Sequence, residues 1–255
     1  EHHNLALKGM LSISTPVAPS LDTPAGNPRL QLLTQREKPP PPTSREDALV
    51  HVAHAAIFDA NGIVYGGFLR DWIIGGNAAN DVDVRTSDYA VAERNMTAAL
   101  LQQGITLKSS QQWGMGGQYQ RITYEWQHKE LEVDLVNPIH VPHTAPGVDC
   151  DVGNLQLSAT SGLELKVPAL GSAVTLQEAV AHVQAKAFVF YYDLTEGIST
   201  HEQAVRRLKK YLARGWVCKS HVPDEVKAKL TEANRANLKP DDKYNGVRFW
   251  ENPSA

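Results

Sequence analysis

Residues 63–86 read IVYGGFLRDWIIGGNAANDVDVRT, and the strongest structural signals of the chain lie in this stretch. The β-branched and aromatic residues at 63–65 predict a short strand, which the glycine pair at 66–67 ends. Residues 68–74 predict a short helix. Over 81–84 aspartate alternates with valine, and this period of two predicts a second strand with both carboxylates on one face.

The sequence on either side of this stretch predicts further helices and strands. A capping pattern at 44–47 and the apolar spacing behind it predict a helix over 44–59. Downstream, a helix is predicted over 89–103, and two strands are predicted over 118–126 and 130–136. Helices and strands in this order indicate an α+β domain.

Composition divides the chain into four parts. Eight of the 15 prolines fall near the start, so residues 1–43 are predicted to form a proline-rich arm or linker. Residues 44–175 are the predicted head domain. Residues 176–245 are predicted to be mainly helical, and residues 246–255 are a tail.

Charge is distributed unevenly along the chain. The formal net charge is −3, which excludes a uniformly basic nucleic-acid-binding coat. Residues 46–170 carry a net charge of −8, whereas residues 201–245 carry +5. This asymmetry indicates two parts with different partners.

Cysteine content and hydropathy bear on the compartment. Two cysteines cannot form a disulfide framework, and a reducing environment is the expectation. No apolar run has the roughly 20 residues that a bilayer requires. We therefore expect a cytoplasmic protein with no membrane partner.

Asp81 and Asp83 are the first candidate catalytic residues. Residues two apart on a strand point to the same face, so the two carboxylates repel each other unless a cation lies between them. Mg²⁺ is the hard, oxygen-seeking ion that suits such a pair. The glycines at 66–67 place unobstructed backbone N–H groups near the start of a helix, where phosphates bind.

A third carboxylate on a neighbouring strand would complete a two-metal site. Asp134, near the end of an alternating stretch at 131–136, is the candidate, and Glu132 on the same face is the second choice. Three carboxylates with two metal ions suit in-line nucleotidyl transfer, in which no side chain needs to act covalently.

Each of these features alone has a simpler explanation. An Asp-x-Asp strand is commonly a solvated face, and a glycine pair before a helix is commonly a tight turn. Their occurrence in this order, about 14 residues apart, favours a functional site over two unrelated structural features.

The sequence GGFLRDWIIG followed by DVDV resembles the head-domain signature of class II tRNA nucleotidyltransferases (CCA-adding enzymes) and bacterial poly(A) polymerases. These enzymes belong to the polymerase β-like nucleotidyltransferase superfamily. The resemblance is specific over 63–86 and extends in outline over 45–215. It implies a nucleotidyltransferase head, with a small mixed sheet flanked by helices, and a short helical neck-like region behind it.

The resemblance also implies roles for individual residues. In the family the paired glycines hold the triphosphate, the Arg-Asp of the short helix supports the site, and the spaced aspartates bind metal. The implied nucleotide-binding residues in this region are Gly66, Gly67, Arg70 and Asp71. The implied catalytic residues are Asp81, Asp83 and Asp134, which would bind Mg²⁺, with Mn²⁺ as the alternative ion.

Two further family segments are present only in part. The family's Arg-Arg-Asp segment corresponds to residues 149–154, which keep an Asp and the Asn but lack both arginines. The family's base-reading helix has Glu-Asp-x-x-Arg followed by Leu-Arg. Here Gln203 replaces the Asp, Arg206 is retained and Lys209 replaces the last Arg. Because Gln donates or accepts at either end, the choice between ATP and CTP stays open, and an ordinary surface pair of Glu202 with Arg206 is the alternative.

Six basic residues and no acidic one lie between Arg206 and Lys219, interleaved with Tyr211 and Trp216. This pattern predicts a surface for a triphosphate or an RNA acceptor, with a solvated helix face as the alternative. Only about 75 residues follow the head, and the tRNA-reading members of the family have longer helical extensions.

These observations predict a template-independent, metal-dependent nucleotidyltransferase that moves a nucleoside monophosphate from an NTP to an acceptor hydroxyl. An RNA 3′ end, as in tRNA processing, is the first choice of acceptor. A protein or small-molecule acceptor is the second choice. A catalytically silent nucleotide-binding or interaction module is the third interpretation.

Histidines and cysteines give weaker patterns. His51 and His54 are at helical spacing, and His140, His143 and Cys150 form a loose metal-like cluster. Neither group has a convincing fourth ligand, so no zinc site is predicted. No nearby His or Lys indicates a nucleophilic cysteine.

Overall fold

One mixed β-sheet forms the centre of the molecule, and helices pack against it. The structure is a computed structural model that describes residues 27–114, 117–137, 150–166, 174–190 and 201–244. The mixture of sheet and helices confirms the predicted α+β class.

The sheet has seven strands. They are β1 (Ile63–Tyr65), β2 (Asp81–Arg85), β3 (Thr106–Trp113), β4 (Tyr119–Trp126), β5 (Lys129–Val136), β6 (Leu155–Ser158) and β7 (Gly162–Leu165). Their spatial order is β3-β4-β5-β2-β1-β6-β7. All neighbouring pairs are antiparallel except β2 and β5, which run parallel. A separate parallel pair is formed by β8 (Ala187–Phe188) and β9 (Val217–Cys218).

Seven α-helices lie in the described ranges. They are α1 (Pro28–Thr34), α2 (Arg45–Phe58), α3 (Tyr89–Leu101), α4 (Leu176–Gln184), α5 (His201–Ala213), α6 (Asp224–Lys227) and α7 (Glu232–Arg235). Helix α2 begins at the predicted capping sequence, where Ser44 and Asp47 exchange side-chain to backbone hydrogen bonds. The predicted short helix at 68–74 is a π-helix, Phe68–Ile74. No helix in these ranges is long and apolar enough to cross a bilayer.

Strand β2 shows how the sheet divides into two faces. Val82 and Val84 are fully buried, and α2 packs on this strand as well as on β1 and β5. Asp81, Asp83 and Arg85 point to the opposite face, because side chains alternate along a strand. The alternation of aspartate and valine therefore separates the core from a polar surface.

The segment before α2 differs from the arm or linker predicted for residues 1–43. Its described part contains α1, in which Leu30 and Leu33 are buried. Asn27 caps this helix and donates a hydrogen bond of 2.7 Å to the carbonyl of Ile73. A seven-residue helix is too short to show a sustained apolar period, which explains why the sequence pattern did not predict it.

Two buried histidines of α2 hold the proline-rich segment against the core. The Nε2 atom of His51 donates to the carbonyl of Pro40 at 2.8 Å, and that of His54 donates to the carbonyl of Gln35 at 3.2 Å. Burial lowers the pKa of both imidazoles. These neutral histidines therefore have a structural role.

Three strands of the central sheet were not predicted from the sequence, nor were the two-residue strands β8 and β9, which lie in the region predicted to be mainly helical. All eight residues of β3 are exposed, so this edge strand has no buried side that would produce an apolar alternation. Strands β6 and β7 have four residues each. Runs this short are set by pairing with neighbours rather than by local sequence.

Candidate functional site

A row of polar side chains crosses the whole sheet on the face opposite α2. Each member is the register partner of the next, so all of them lie on one face. From β3 to β7 the row is Gln111, Arg121, Asp134, Asp83, Tyr65, Gln156 and Glu164. Carboxylates occupy its centre.

The parallel pairing of β2 with β5 brings the predicted carboxylates side by side. Asp83 is the register partner of Asp134, and Asp81 is the register partner of Glu132. The structure thus places Asp134 on the strand next to the aspartate pair, where the sequence predicted a third carboxylate. Glu132, the second choice, lies on the same face beside Asp81.

Burial and mutual repulsion raise the pKa values of both aspartates on β2. Burial is the largest cause for Asp83, followed by the charges of Asp81 and Asp134, and its pKa rises to about 7. Burial, and then the charge of Asp134, raise the pKa of Asp81. Each ionised carboxylate therefore costs free energy, which a cation in the cluster would offset.

Asp134 already has a cation partner within the chain. The Nε and Nη2 atoms of Arg121 donate to its two oxygens at 2.8 and 2.7 Å. The Nη1 atom of Arg121 is also 3.7 Å from Glu132. In this arrangement no group of three His, Cys, Asp or Glu side chains in the described part of the chain could hold a metal ion.

A cavity of about 820 Å³ borders the central part of the polar row. The sheet contributes Asp81, Asp83, Tyr65 and Arg85 to its wall, and the glycine turn at 66–67 contributes another part. The other wall comes from the C-terminal region. Its lining residues include Lys186, Arg206, Arg207, Lys210, Tyr211, Arg214 and Trp216.

The glycine turn lies directly beside the aspartates. Gly66 has a positive φ of 73°, and a Cβ atom at this position would be 3.3 Å from Oδ2 of Asp83. Both features favour glycine. The Gly66 amide donates to the carbonyl of Leu155 at 3.1 Å, so the amide of Gly67, which opens the π-helix, is the better candidate for a phosphate contact.

Arg70 and Asp71 line the cavity and form a brace there, in which Arg70 is buried and Asp71 is half-buried. Arg70 uses Nε and Nη2 to contact the two oxygens of Asp71, each at 2.6 Å, and its Nη1 donates to the hydroxyl of Tyr211 at 2.6 Å. Arg70 therefore connects the π-helix to helix α5. This geometry suits the supporting role that the family resemblance implied.

Helix α5 presents a row of cations to the cavity. Arg206, Arg207, Lys210 and Arg214 line it, and the positive charge of Lys210 acts to lower the pKa of Asp81. Lys209 is half-buried and does not line the cavity. Gln203 lies in the first turn of α5, but its side chain is outside the described part of the structure.

The segment around Asp151 has a structural role. Asp151 is fully buried, accepts a hydrogen bond from the backbone amide of Val189 at 2.8 Å and contacts Nδ1 of His182 at 2.6 Å. Asn154, the Asn of the partial family segment, lines the cavity. Residue 149 and the predicted cluster partners at 140 and 143 lie outside the described residues.

Neither cysteine has the properties of a nucleophile. Cys150 and Cys218 are buried, and neither is part of a disulfide within the described residues. Burial raises the pKa of the Cys218 thiol to about 12, so almost no thiolate is present at neutral pH.

The sequence did not predict two residues of the site, Arg85 in the cavity wall and Arg121 in the polar row, nor the contact of Tyr211 with Arg70. Arg85 continues the alternation of Asp81 and Asp83 by one more step, and this signal was available. Arg121 meets Asp134 only through the register of β4 and β5, and Tyr211 meets Arg70 across 141 positions. Those two contacts have no local sequence signal.

Comparison of the chain with protein-family models and with curated proteins finds no match to either. Only the residues of the chain and their geometry therefore bear on its function.

Proposed function

We propose that the chain is a metal-dependent, template-independent nucleotidyltransferase that transfers a nucleoside monophosphate from an NTP to an acceptor hydroxyl and releases pyrophosphate. One observation carries the proposal. Asp81 and Asp83 border one cavity together with the glycine turn and a basic helix, and parallel pairing of β2 with β5 places Asp134 beside Asp83, just outside the lining of that cavity.

The donor set fits a magnesium or manganese ion. Carboxylate oxygens are the ligands that these hard cations prefer, and burial, followed by the charges of the neighbouring acids, raises the pKa values of Asp81 and Asp83. Asp81 and Asp83 would hold the ion, and Asp134 would join them after releasing Arg121. When bound, the metal supplies charge stabilisation and a more acidic attacking hydroxyl.

The remaining cavity residues bind and orient the nucleotide. Gly66 leaves room for the triphosphate beside Asp83, and the Gly67 amide contacts a phosphate oxygen. Arg206 approaches the base, a role that the sequence also predicts for Gln203, while the cations of α5 that line the cavity neutralise phosphate charge. Arg70, held by Asp71 and Tyr211, fixes the position of α5 relative to the glycine turn.

The mixed sheet supports a polymerase β-like nucleotidyltransferase head as the finer description of the α+β fold. Residues 176–245 would form its neck-like region, and a cytoplasmic location suits NTP chemistry. The acceptor we favour is an RNA 3′ end, because three cations of α5, and Arg214 directly after the helix, line the cavity that Asp81 and Asp83 border. A protein acceptor is the alternative within the same chemistry.

A catalytically silent nucleotide-binding module is the second candidate function. The ion pair of Arg121 with Asp134 favours it, because a carboxylate satisfied within the chain needs no metal. The pKa of Asp83, which burial and two neighbouring acids raise to about 7 despite the charges of Arg70 and Arg85, favours turnover instead.

The test is a transfer assay with the full chain. Each of the four NTPs, labelled at the α-phosphate, is incubated with Mg²⁺ or Mn²⁺ and with total RNA or total protein. Asp81→Ala/Asp83→Ala is the loss-of-function variant, and Glu225→Ala, an exposed acid of α6, is the matched control. Carboxylate-dependent label on RNA supports the proposal, and label on protein moves it to the alternative acceptor. Absence of carboxylate-dependent label with every NTP contradicts nucleotidyl transfer.

A further inference from the structure

Arg85 is a buried cation with too few partners. The residue is 8% exposed, yet its guanidinium makes a single hydrogen bond within the described structure, from Nη1 to Oε1 of Gln156 at 2.7 Å. Its Nε atom is buried without a partner. The Tyr65 ring covers one guanidinium face at 4.1 Å, which leaves the Nε and Nη2 edge unused.

Two other arginines near the cavity show what a satisfied guanidinium looks like in this protein. Arg70 makes two hydrogen bonds to Asp71 and one to Tyr211. Arg121 makes two hydrogen bonds to Asp134. Both arginines present the Nε and Nη2 edge to a carboxylate, which is the edge that Arg85 leaves empty. A buried charge without such a partner is costly, so a partner from outside the chain is expected.

Asp83 does not supply that partner. It stands two residues before Arg85 on β2, about 7 Å away along the strand, and the described residues contain no ion pair to Arg85 within 4.0 Å. Burial remains the largest influence on the Arg85 guanidinium and lowers its pKa despite the charge of Asp83. Asp83 therefore attracts Arg85 without satisfying its donors.

Arg85 also belongs to the cavity wall, in which its Nε atom is covered, so a ligand reaches that atom only when the side chain shifts. It lines the cavity together with Tyr65, Asp83 and Asn154. The Nδ2 atom of Asn154 is a second buried donor without a partner, and that residue is 6% exposed. This part of the cavity wall thus combines a cation with an amide donor, and both lack an acceptor.

We propose that Arg85 forms a phosphate-binding subsite of the cavity, with its Nε and Nη2 edge donating to two oxygens of one phosphate group. Carboxylate and phosphate share this bidentate chemistry, and the cations of α5 around the same cavity favour the more highly charged phosphate. The identification of that phosphate as part of a nucleotide substrate rests on the proposed function. The binding itself needs neither a metal nor transfer.

The test is a titration of the full chain with inorganic pyrophosphate in the presence of EDTA. The ¹⁵Nε–H resonance of Arg85 is assigned through its backbone connections, so the wild-type protein alone reports on the contact. Affinity is measured by calorimetry for the wild type, Arg85→Lys and Arg206→Gln. Malonate, a dicarboxylate, is titrated in parallel. Far-UV circular dichroism checks that Arg85→Lys is folded.

We expect the Arg85 resonance to shift with pyrophosphate and Arg85→Lys to weaken binding about tenfold, because lysine lacks the planar fork. Arg206→Gln, an exposed cation of the opposite wall, should weaken binding about threefold or less. An unmoved Arg85 resonance overturns the proposal, as does unchanged affinity in a folded Arg85→Lys. Tighter binding of malonate than of pyrophosphate overturns the choice of phosphate. These outcomes are independent of the transfer assay, so the subsite and the nucleotidyltransferase proposal can fail separately.

Discussion

Asp83 and Asp134 are register partners on adjacent strands, yet their electrostatic states differ. Both oxygens of Asp134 are hydrogen-bonded to Arg121, a residue of the next strand. Within the described ranges no arginine is hydrogen-bonded to Asp83 in this way, and burial with two negative neighbours raises its pKa to about 7. The chain thus neutralises one side of the carboxylate cluster and leaves the other side charged.

The difference indicates where an external cation belongs. A buried carboxylate with a raised pKa is a cost to the folded state, and a polar row made only for solubility would not place it against two other acids. The edge of the cluster at Asp134 is held in place until a ligand arrives. The centre, at Asp83, is where that ligand gains most free energy.

The largest effects are expected from neutralising single carboxylates, namely Asp83 and Asp134 in the polar row and Glu132 next to it. Asp83→Asn and Asp134→Asn should each lower the transfer rate by about 10³-fold, because each removes a metal-binding charge. Glu132→Gln, beside Asp81 on the same face, should lower it less than tenfold. A loss with Glu132→Gln as large as with Asp134→Asn would contradict the assignment of the third carboxylate.

In the absence of metal, Asp83→Asn should increase the stability of the fold, although it lowers the transfer rate. The folded-state pKa of Asp83 lies above its value in the unfolded chain, so ionised Asp83 destabilises the fold as the pH rises from about 4 to 7. Asp83→Asn should raise the free energy of unfolding by about 2 kcal/mol at pH 8. At pH 3.5 the variant and the wild type should be equal. Urea denaturation in EDTA at both pH values measures this, and an unchanged stability at pH 8 would refute it.

Removing the internal cation should make the two carboxylates alike. Arg121→Gln frees both oxygens of Asp134, and we expect the affinity for Mn²⁺ to rise about tenfold, as one competing charge is worth roughly 1 kcal/mol. Electron paramagnetic resonance of free Mn²⁺ reports the affinity directly. Lys108→Gln, which breaks an exposed ion pair with Glu130, is the control. Equal affinity in Arg121→Gln and wild type would show that Arg121 does not compete with the metal.

The buried histidines of α2 should have a smaller effect on the pH dependence of stability. Burial lowers the pKa of His51 and His54, so their contribution to stability is complete above their unfolded pKa of about 6.5 and is lost as the pH falls through the lowered folded value. This loss opposes the gain expected from protonating Asp83. His54→Gln should reduce the acid-induced loss of stability between pH 7 and pH 5, measured by thermal denaturation. An unchanged loss would exclude His54 as its source.

Local patterns in the sequence predicted the parts of the site that alternate along a strand. The Asp-Val repeat of β2 and the matching alternation around Asp134 indicated which side chains share a face, and the capping sequence at Ser44 indicated where α2 begins. Each signal depends only on residues a few positions apart. The sequence therefore predicted that Asp83 and Asp134 lie close together on neighbouring strands.

The sequence did not predict which of these carboxylates is paired with a cation of the chain. Arg121 reaches Asp134 through a hairpin register, and Arg70 reaches Tyr211 across the fold. The unused donors of Arg85 follow from its burial against Tyr65 and Gln156, on strands that pair non-locally. Side-chain neutralisation depends on tertiary packing, for which one sequence contains no local pattern.

We propose that Asp81, Asp83 and Asp134 together hold a divalent cation next to a triphosphate. Crystals of the full chain grown with Mn²⁺ and a non-hydrolysable ATP analogue test it through anomalous scattering at the manganese edge. We predict an anomalous peak about 2.1 Å from oxygens of Asp81 and Asp83, with Arg121 moved off Asp134 and the triphosphate at the turn of Gly66. Manganese absent from this cluster while the analogue occupies the cavity, or Arg121 still bound to Asp134 beside a bound triphosphate, would contradict the claim.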